Sequence, residues 1–525
     1  MTRLIIAVCI ILSACCSTPK ASNTLRIAFN TFPLTVDPRK SGDFVSSTLI
    51  CLVYDGLTRC QADGSPEFAI ADQVDISPDK TVYLFHLRDA SWTDGRPVTA
   101  YDFEASWKKI IDPHFPSICT YLFYSIKNCE AAAKGQRPLS DVAIQALDDK
   151  TLRVELERPT PYFLSLTSFP SFLPVPSHLT EAELEQPMQV VTNGPFRIGR
   201  MIANSEIDLV KNEAFWNKEA IKLQGIKISI VLNEATALQM FEQDEIDWLG
   251  GPFSPILPDA HESIRKKQEL HFFPMAASTF CSFNTTRSPF NNGKIRKAFS
   301  LAINRIEIVE KVTQLGQKPA TRYIPPNLMN NEEKELYPVY DPVLARIYLE
   351  QGLKELHLTK LPTLTFMCRT SLIDKQIGQT LQRQWKDVLD VDIELEQTDF
   401  KTHHDKLHRR CYDFSLSYWI AQFSDPINIL ERFKDRDNPK NYPAWENPFF
   451  TKLLESAISA TTPQLRLQII QAAEAFMADE MPIAPIYHWS NPSLCHERLH
   501  NISTTPSGGV LFEKCWIEEP SKKIR

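Results

Sequence analysis

Ala90-Ser91-Trp92-Thr93-Asp94-Gly95-Arg96-Pro97-Val98-Thr99-Ala100-Tyr101-Asp102-Phe103 is the stretch on which the reading of the fold turns. Asp94-Gly95 is a tight-turn dipeptide, because glycine reaches backbone conformations that other residues avoid. Trp92 precedes it and is expected to pack beneath the turn. From Ala100 to Ile111, Phe103, Trp107 and Ile110 recur at helical spacing and share one face. Thr99 or Asp102 is placed to cap the start, and Pro113 stops the helix. The stretch is a turn leading into a helix, and its expected role is structural rather than ligand contact.

Working outward, short alternating runs predict strands at Leu25–Phe29, Thr81–Leu87 and Leu152–Leu156. Long amphipathic patterns predict helices over Ile295–Val312, Asp374–Leu389 and Pro463–Met477. Strands are expected between them at Ile226–Leu232, Leu364–Met367 and Val391–Leu395. Alternation of this kind argues for α/β layers. No single break splits the chain, so the domains are expected to be discontinuous.

With 525 residues, 43% of them hydrophobic, the chain can bury a large core and divides into about two to four domains. The net charge of −7 is mild and spread out, unlike the concentrated basic patch of a nucleic-acid binder. No phosphate-cradling G-x-x-x-x-G-K and no G-x-S-x-G elbow occurs.

At the start, Arg3 precedes an apolar run from Leu4 to Leu12, followed by Ser13-Ala14-Cys15. A positive residue, a short apolar core and small residues before a cysteine make a lipoprotein export signal. The run falls short of the about 20 apolar residues that span a bilayer. Residues 1–14 are therefore expected to be removed and Cys15 to carry the lipid, since cleavage before Cys16 would place a cysteine where a small residue is preferred. This predicts a place outside the cytoplasm, in the periplasm or on the cell surface, anchored to a bacterial membrane.

Beyond the anchor, nine cysteines remain, and an odd number cannot all pair internally. Cys51 with Cys60 and Cys119 with Cys129 are candidate disulfides for an oxidising compartment. Spacing does not supply the geometry a disulfide needs, and buried free thiols are the alternative.

The block from Trp92, continued by Trp107 and Asp112-Pro113, strongly resembles the signature of the peptide/nickel family of ABC-transporter solute-binding proteins, W-S-D-G-x-P-V-T-A-x-D-F followed by a helix carrying a tryptophan. Similar stretches follow in the family's order: His86-Leu87-Arg88, Val191-Thr192-Asn193-Gly194-Pro195-Phe196, Phe215-Trp216-Asn217, Phe283-Asn284 through Pro289-Phe290-Asn291 to Ile295-Arg296-Lys297-Ala298, and Pro482-Ile483-Ala484-Pro485-Ile486-Tyr487. The resemblance covers nearly the whole mature chain and is nearest to periplasmic oligopeptide-binding lipoproteins.

The resemblance implies a bilobal, hinge-closing α/β protein of the large three-domain type. Its lobes would be 24–55, 186–277 and 490–525 together, then 278–489, with an extra α/β domain at 56–185. It implies a monomer that takes a peptide ligand, no cofactor and no metal, and delivers the ligand to an ABC permease of the inner membrane. The peptide would lie extended between lobes and pair with backbone, the mode in which main-chain hydrogen bonds give affinity whatever the side chains. The matching segments are Gly42-Asp43-Phe44, Ser278-Thr279-Phe280 and Tyr418-Trp419-Ile420-Ala421. Trp419 and Phe400 fall where such proteins place aromatic pocket walls, and Tyr124 falls near a contact tyrosine.

Departures from the pattern bear on the ligand. Where the family holds a peptide amine with an aspartate three residues after the tryptophan, this chain has Gln422. Where it has an arginine three residues before, this chain has Leu416. Asp425 is near in sequence, and Arg369 stands at a neutral position of the family, where it could hold a carboxylate bidentately. These changes leave open a peptide bound differently, or a cell-wall peptide fragment.

Two metal-like patterns give rival readings. His496-Glu497-Arg498-Leu499-His500 matches H-E-x-x-H, which makes a zinc peptidase only if a helix puts both histidines on one face. His404, His408 and Cys411 could share a helix face and make a metal or metal-chelate binder. The expectation is that both patterns are accidental and that the protein is not an enzyme.

Changing Cys15 to Ala should release the protein from membranes, because the acyl chains that hold it have nowhere to attach. Metabolic labelling with a fatty acid checks this, and a labelled Cys15→Ala protein would show the anchor to be elsewhere.

Overall fold

The computed structural model describes residues 23–184, 186, 190–256, 270–329, 335–337 and 340–518. The export signal at 1–14 and Cys15 lie outside the described residues, as does the 257–269 part of the first expected lobe.

The signature block folds as its residues dictate. The Gly95 N–H donates to the Trp92 carbonyl at 2.9 Å and the Trp92 N–H to the Arg96 carbonyl at 2.8 Å, closing a turn in which Gly95 has φ +89°. Trp92 is buried beneath it. The helix runs Ala100–Ile111, and Asp102, itself buried, organises its start. Its Oδ2 accepts the Thr99 N–H at 2.8 Å and the Trp92 indole N–H at 3.2 Å. Its Oδ1 accepts the Ser177 N–H at 2.8 Å and hydroxyl at 2.6 Å. A buried carboxylate with this many donors is fully satisfied, so it ties turn, helix and a distant loop together. Trp107 donates its indole N–H to Phe172 O at 2.8 Å and packs edge-on against Phe103, Phe123 and Phe172.

This helix covers an antiparallel sheet in the order Ala71–Ile76, Val82–Leu87, Thr151–Glu155, Ile144–Asp148. A second, larger sheet carries the rest of the molecule. Its strands lie in the order Ile393–Thr398, Leu364–Arg369, Phe414–Ile420, Leu270–Phe283, Ile483–Cys495, Trp248–Gly250, Thr24–Phe29, Gly225–Ile230, Glu206–Lys211, Phe196–Ile202. Thr24–Phe29 runs parallel to Gly225–Ile230, and its Leu25, Ile27, Ala28 and Phe29 are fully buried, so both of its faces carry core residues.

Two strands, Leu270–Phe283 and Ile483–Cys495, join the halves of this sheet. They pair from Leu270↔Leu494 to Pro274↔Ser490, lose register, and pair again from Ser278↔His488 to Ser282↔Ile483. Between these stretches the Ala276 N–H turns to the Pro506 carbonyl at 2.6 Å. The architecture is thus a bilobal α/β fold with an additional sheet domain.

Two expectations fail. The helix over Ile295–Val312 is broken into Gly293–Leu301, then Arg305–Glu307 passing into a π-helical turn at Ile308–Thr313. The Asn304 side chain accepts the Glu307 N–H at 3.1 Å and restarts the helix there. Buried Arg305 folds back on the Ser300 and Ile303 carbonyls at 3.2 and 3.3 Å, at the point where the helix ends. Nor do the candidate disulfides form: Cys51, Cys60, Cys119 and Cys129 are free thiols. Cys119 Sγ instead donates to Ser41 O at 3.4 Å and Cys60 Sγ to Gln61 O at 3.5 Å.

Candidate ligand-binding cleft

A cavity of about 390 Å³ opens where the lobes face each other. One wall is the start of the helix Phe44–Val53, with Gly42 and Asp43 before it. Asp43 caps that helix, accepting the Ser46 N–H at 2.8 Å, so its carboxylate is engaged locally. The facing wall is Ile420-Ala421-Gln422-Phe423-Ser424, where the chain leaves the strand Phe414–Ile420. Tyr121 reaches in from the additional domain.

Backbone direction on that second wall is fixed by one bond. The Ala421 N–H donates to Ala276 O at 2.8 Å, so by alternation Trp419 and Ser417 also turn their main-chain groups toward the crossing strand. Tyr418 and Ile420 turn theirs the other way. On that side the strand Leu364–Arg369 pairs only through Phe366↔Phe414 and Met367↔Ser415. Past this point His403 wedges in, its Nε2 3.2 Å from Leu416 O and its Nδ1 3.2 Å from Thr398 Oγ1. Burial, above all, holds this histidine down at about 4, so it stays neutral. Among the described residues no strand pairs with Tyr418 and Ile420 on that side.

Several contacts join the second wall and its surroundings to the additional domain. Gln422 donates its side-chain amide to the Tyr121 hydroxyl. The Tyr162 and Phe423 rings stack at 4.4 Å, and the Tyr162 hydroxyl lies 3.4 Å from Glu431 Oε2. The Lys440 ammonium sits 3.6 Å from the Tyr121 ring centre. Burial first, then the neighbouring Asp425, pushes the Glu431 carboxyl up to about 7.

Of the residues expected from sequence, Gly42, Asp43, Phe44, Ile420, Ala421 and Gln422 come together around the cavity. Tyr418 and Trp419 immediately precede its wall, and the Trp419 indole N–H and the Gln422 N–H share Asn428 Oδ1 at 3.3 and 3.1 Å. The remaining residues are placed elsewhere. Ser278, Thr279 and Phe280 are buried in a central strand with neighbours on both sides, so their backbone offers no free edge. Phe400 is 61% exposed at a helix start, beside His404. Tyr124 lies off the cavity, one turn from the Tyr121 that lines it. Arg369 is held by Asp374 at 2.5 Å and Tyr418 Oη at 3.0 Å. Asp425 is gripped by both terminal nitrogens of Arg466 at 2.8 Å, so it does not compensate for the missing aspartate at Gln422. Sequence reasoning missed Tyr121, Asn428, Arg432 and Lys440.

The metal-like patterns do not assemble. The strand Ile483–Cys495 ends before His496, and Leu499–His500 pairs with Trp516–Ile517. His496 stacks on Phe241 and His500 on Trp516, each at 4.1 Å, instead of converging from one helix face. His404 and His408 lie 4.5 Å apart on the helix Phe400–Arg409, but Cys411 falls past its left-handed cap at Arg410. Among the described residues no three such side chains could hold a metal ion.

A two-part sheet joined by crossing strands, with a cavity between the lobes, defines a hinged solute-binding protein. The chain belongs to the bacterial extracellular solute-binding proteins, family 5, whose model, described as "Middle", matches residues 65–441. It is 36% identical to the oligopeptide-binding protein OppA of Bacillus subtilis (strain 168), over 95% of this chain and 93% of that one. It is 31% identical to the dipeptide-binding protein DppE of the same organism, over 91% and 89%. Among solved structures it is similar to the unliganded open form of the periplasmic murein tripeptide-binding protein MppA, with TM-score 0.83, 25% identity and coverage of 95% and 98%. It is also similar to Listeria monocytogenes OppA bound to peptide, with TM-score 0.74, 27% identity and coverage of 95% and 100%. These relatives are named as binding proteins, not as enzymes.

A carboxyl raised from 4.5 to about 7 binds its proton more tightly folded than unfolded. Its stabilising contribution is therefore complete below pH 4.5 and lost as pH rises to about 7. Glu431→Gln should accordingly gain stability over the wild type across that window, read as urea midpoints. A difference between the two that stays constant with pH would contradict the burial of this acid.

Proposed function

We propose that the protein is the lipid-anchored, extracytoplasmic capture component of an ABC importer, and that its ligand is an oligopeptide. The observation that carries this reading is the unpaired backbone edge at Tyr418 and Ile420, beside the cavity between Gly42–Phe44 and Ile420–Gln422. An extended peptide would complete that edge as an added strand, with side chains left to wide, tolerant pockets. The oligopeptide-binding and dipeptide-binding relatives support the same ligand class.

On this reading, the described residues of segments 24–55, 186–277 and 490–525 belong to the first lobe, those of 278–489 to the second, and those of 56–185 to the extra domain. The register break between Pro274 and Ser278 supports a bend there. A ligand touching both lobes favours the closed state, which a monomer anchored through Cys15 would present to an inner-membrane permease. A second reading, a cell-wall peptide fragment, draws on the likeness to a murein tripeptide-binding protein and on the neutral Gln422.

Without the aspartate, an ammonium beside Gln422 keeps most of its desolvation cost. The wild type should therefore discriminate weakly between free and N-acetylated peptides. Gln422→Asp should favour the free amine by about 1–3 kcal/mol. Calorimetric titration of one peptide in both forms, against both proteins, makes the comparison. Strong rejection of the acetylated form by the wild type would mean that another acid holds the amine.

A further inference from the structure

Just behind the Tyr121 and Gln422 that line the cavity stand two cations, Lys440 and Arg432, that have no acid paired to them among the described residues. The Lys440 ammonium lies between Tyr121 and Trp419, 3.6 and 5.6 Å from their ring centres. Among the described residues it forms no ion pair. Behind Trp419 lies Arg432, 3% exposed. Its guanidinium sits 4.4 Å from the Trp419 ring centre and is flanked by Phe280, Tyr323 and Phe433. It donates to the Tyr323 hydroxyl and, at 3.4 Å, to the Lys440 carbonyl, while its Nε has no partner. Aromatic faces stabilise such a charge, but a buried guanidinium without a counterion retains much of its desolvation cost.

The neighbouring acids do not cancel these charges. Asp425 is held by Arg466. The Glu431 carboxyl is pushed toward its neutral form by burial and Asp425. Burial, with a smaller contribution from Arg432, lowers the Lys440 ammonium from its ordinary range, and an anion beside it would restore the charged form. A ligand ammonium placed here would meet two like charges, whereas a carboxylate would meet a charge-assisted donor.

Resting on the reading of this cleft as a peptide site, we propose that Lys440, backed by Arg432, receives a ligand carboxylate against the Tyr121–Trp419 wall. The part of the ligand beside Gln422 is then acidic, where an aspartate in place of Gln422 would have selected an amine. A peptide C-terminus and an acidic side chain share this chemistry.

The test titrates full-length wild type, Lys440→Met and Lys440→Arg with tri- to pentaalanine as free acids, as C-terminal amides, and as amides ending in glutamate. The wild type should bind the free acid about ten- to a hundredfold more tightly than the amide. Lys440→Met should abolish that ratio, free-acid affinity falling about ten- to a hundredfold further than amide affinity, and Lys440→Arg should keep it. Recovery of affinity in the glutamate amide assigns the site to a side chain; no recovery assigns it to the main-chain terminus. Equal affinity of the wild type for acid and amide overturns the proposal, as does a Lys440→Met loss that is equal for both, which marks a closing contact only. If none of the peptides binds the wild type, the peptide reading itself falls, and the inference with it.

Discussion

Strands Leu270–Phe283 and Ile483–Cys495 must remain paired over most of their length while passing from one lobe to the other, and they manage this by losing register between Pro274 and Ser278. Pro274 has no N–H to give, and the Ala276 N–H is taken by Pro506. Within the break, the Ala276 carbonyl accepts the Ala421 N–H and so sets the facing of the strand that borders the cleft. The loop carrying Gly508 packs close enough on this bend that an added Cβ would stand 2.5 Å from Met275. The ladder is thus already interrupted where the chain passes from one half-sheet to the other, which is where bending would cost the fewest hydrogen bonds.

The same alternation leaves Tyr418 and Ile420 without a pairing strand on that side among the described residues, and His403 ends the neighbouring ladder early. Backbone pairing supplies affinity that ignores side chains, so selectivity has to come from charge around the cleft. Here that charge is positive at Lys440 and Arg432, neutral at Gln422, and internally paired at Asp425 and Arg369. On the proposed reading, the cleft combines a permissive backbone edge with one electrostatic preference.

Much of the fold was legible because it is local. The turn at Asp94-Gly95, the helix Ala100–Ile111 and the helix Leu372–Leu389 follow from spacing over a few turns. The break after Leu301 was not, because Asn304 sits in an otherwise helical pattern and Arg305 finds its carbonyls only once folded. Whether a strand has a free edge is a property of the whole sheet, so Ser278–Phe280 and Tyr418–Ile420 could not be told apart from sequence. Tyr121 rather than Tyr124 faces the cavity because of a single 3-10 turn. Lys440 and Arg432 carry no motif: their aromatic partners come from positions more than a hundred residues away as well as from nearby ones. The spacing of Cys51 and Cys60, and of His496 and His500, suggested chemistry that the backbone between them does not support.

The central claim is that a peptide completes the open edge of the strand Phe414–Ile420. Amide hydrogen exchange, resolved to single residues and followed with and without a saturating peptide, tests it most directly. Binding should slow exchange at the Tyr418 and Ile420 amides by orders of magnitude while leaving Phe280, already paired within its sheet, unchanged. Unaltered exchange at Tyr418 and Ile420 under saturating peptide would contradict the account.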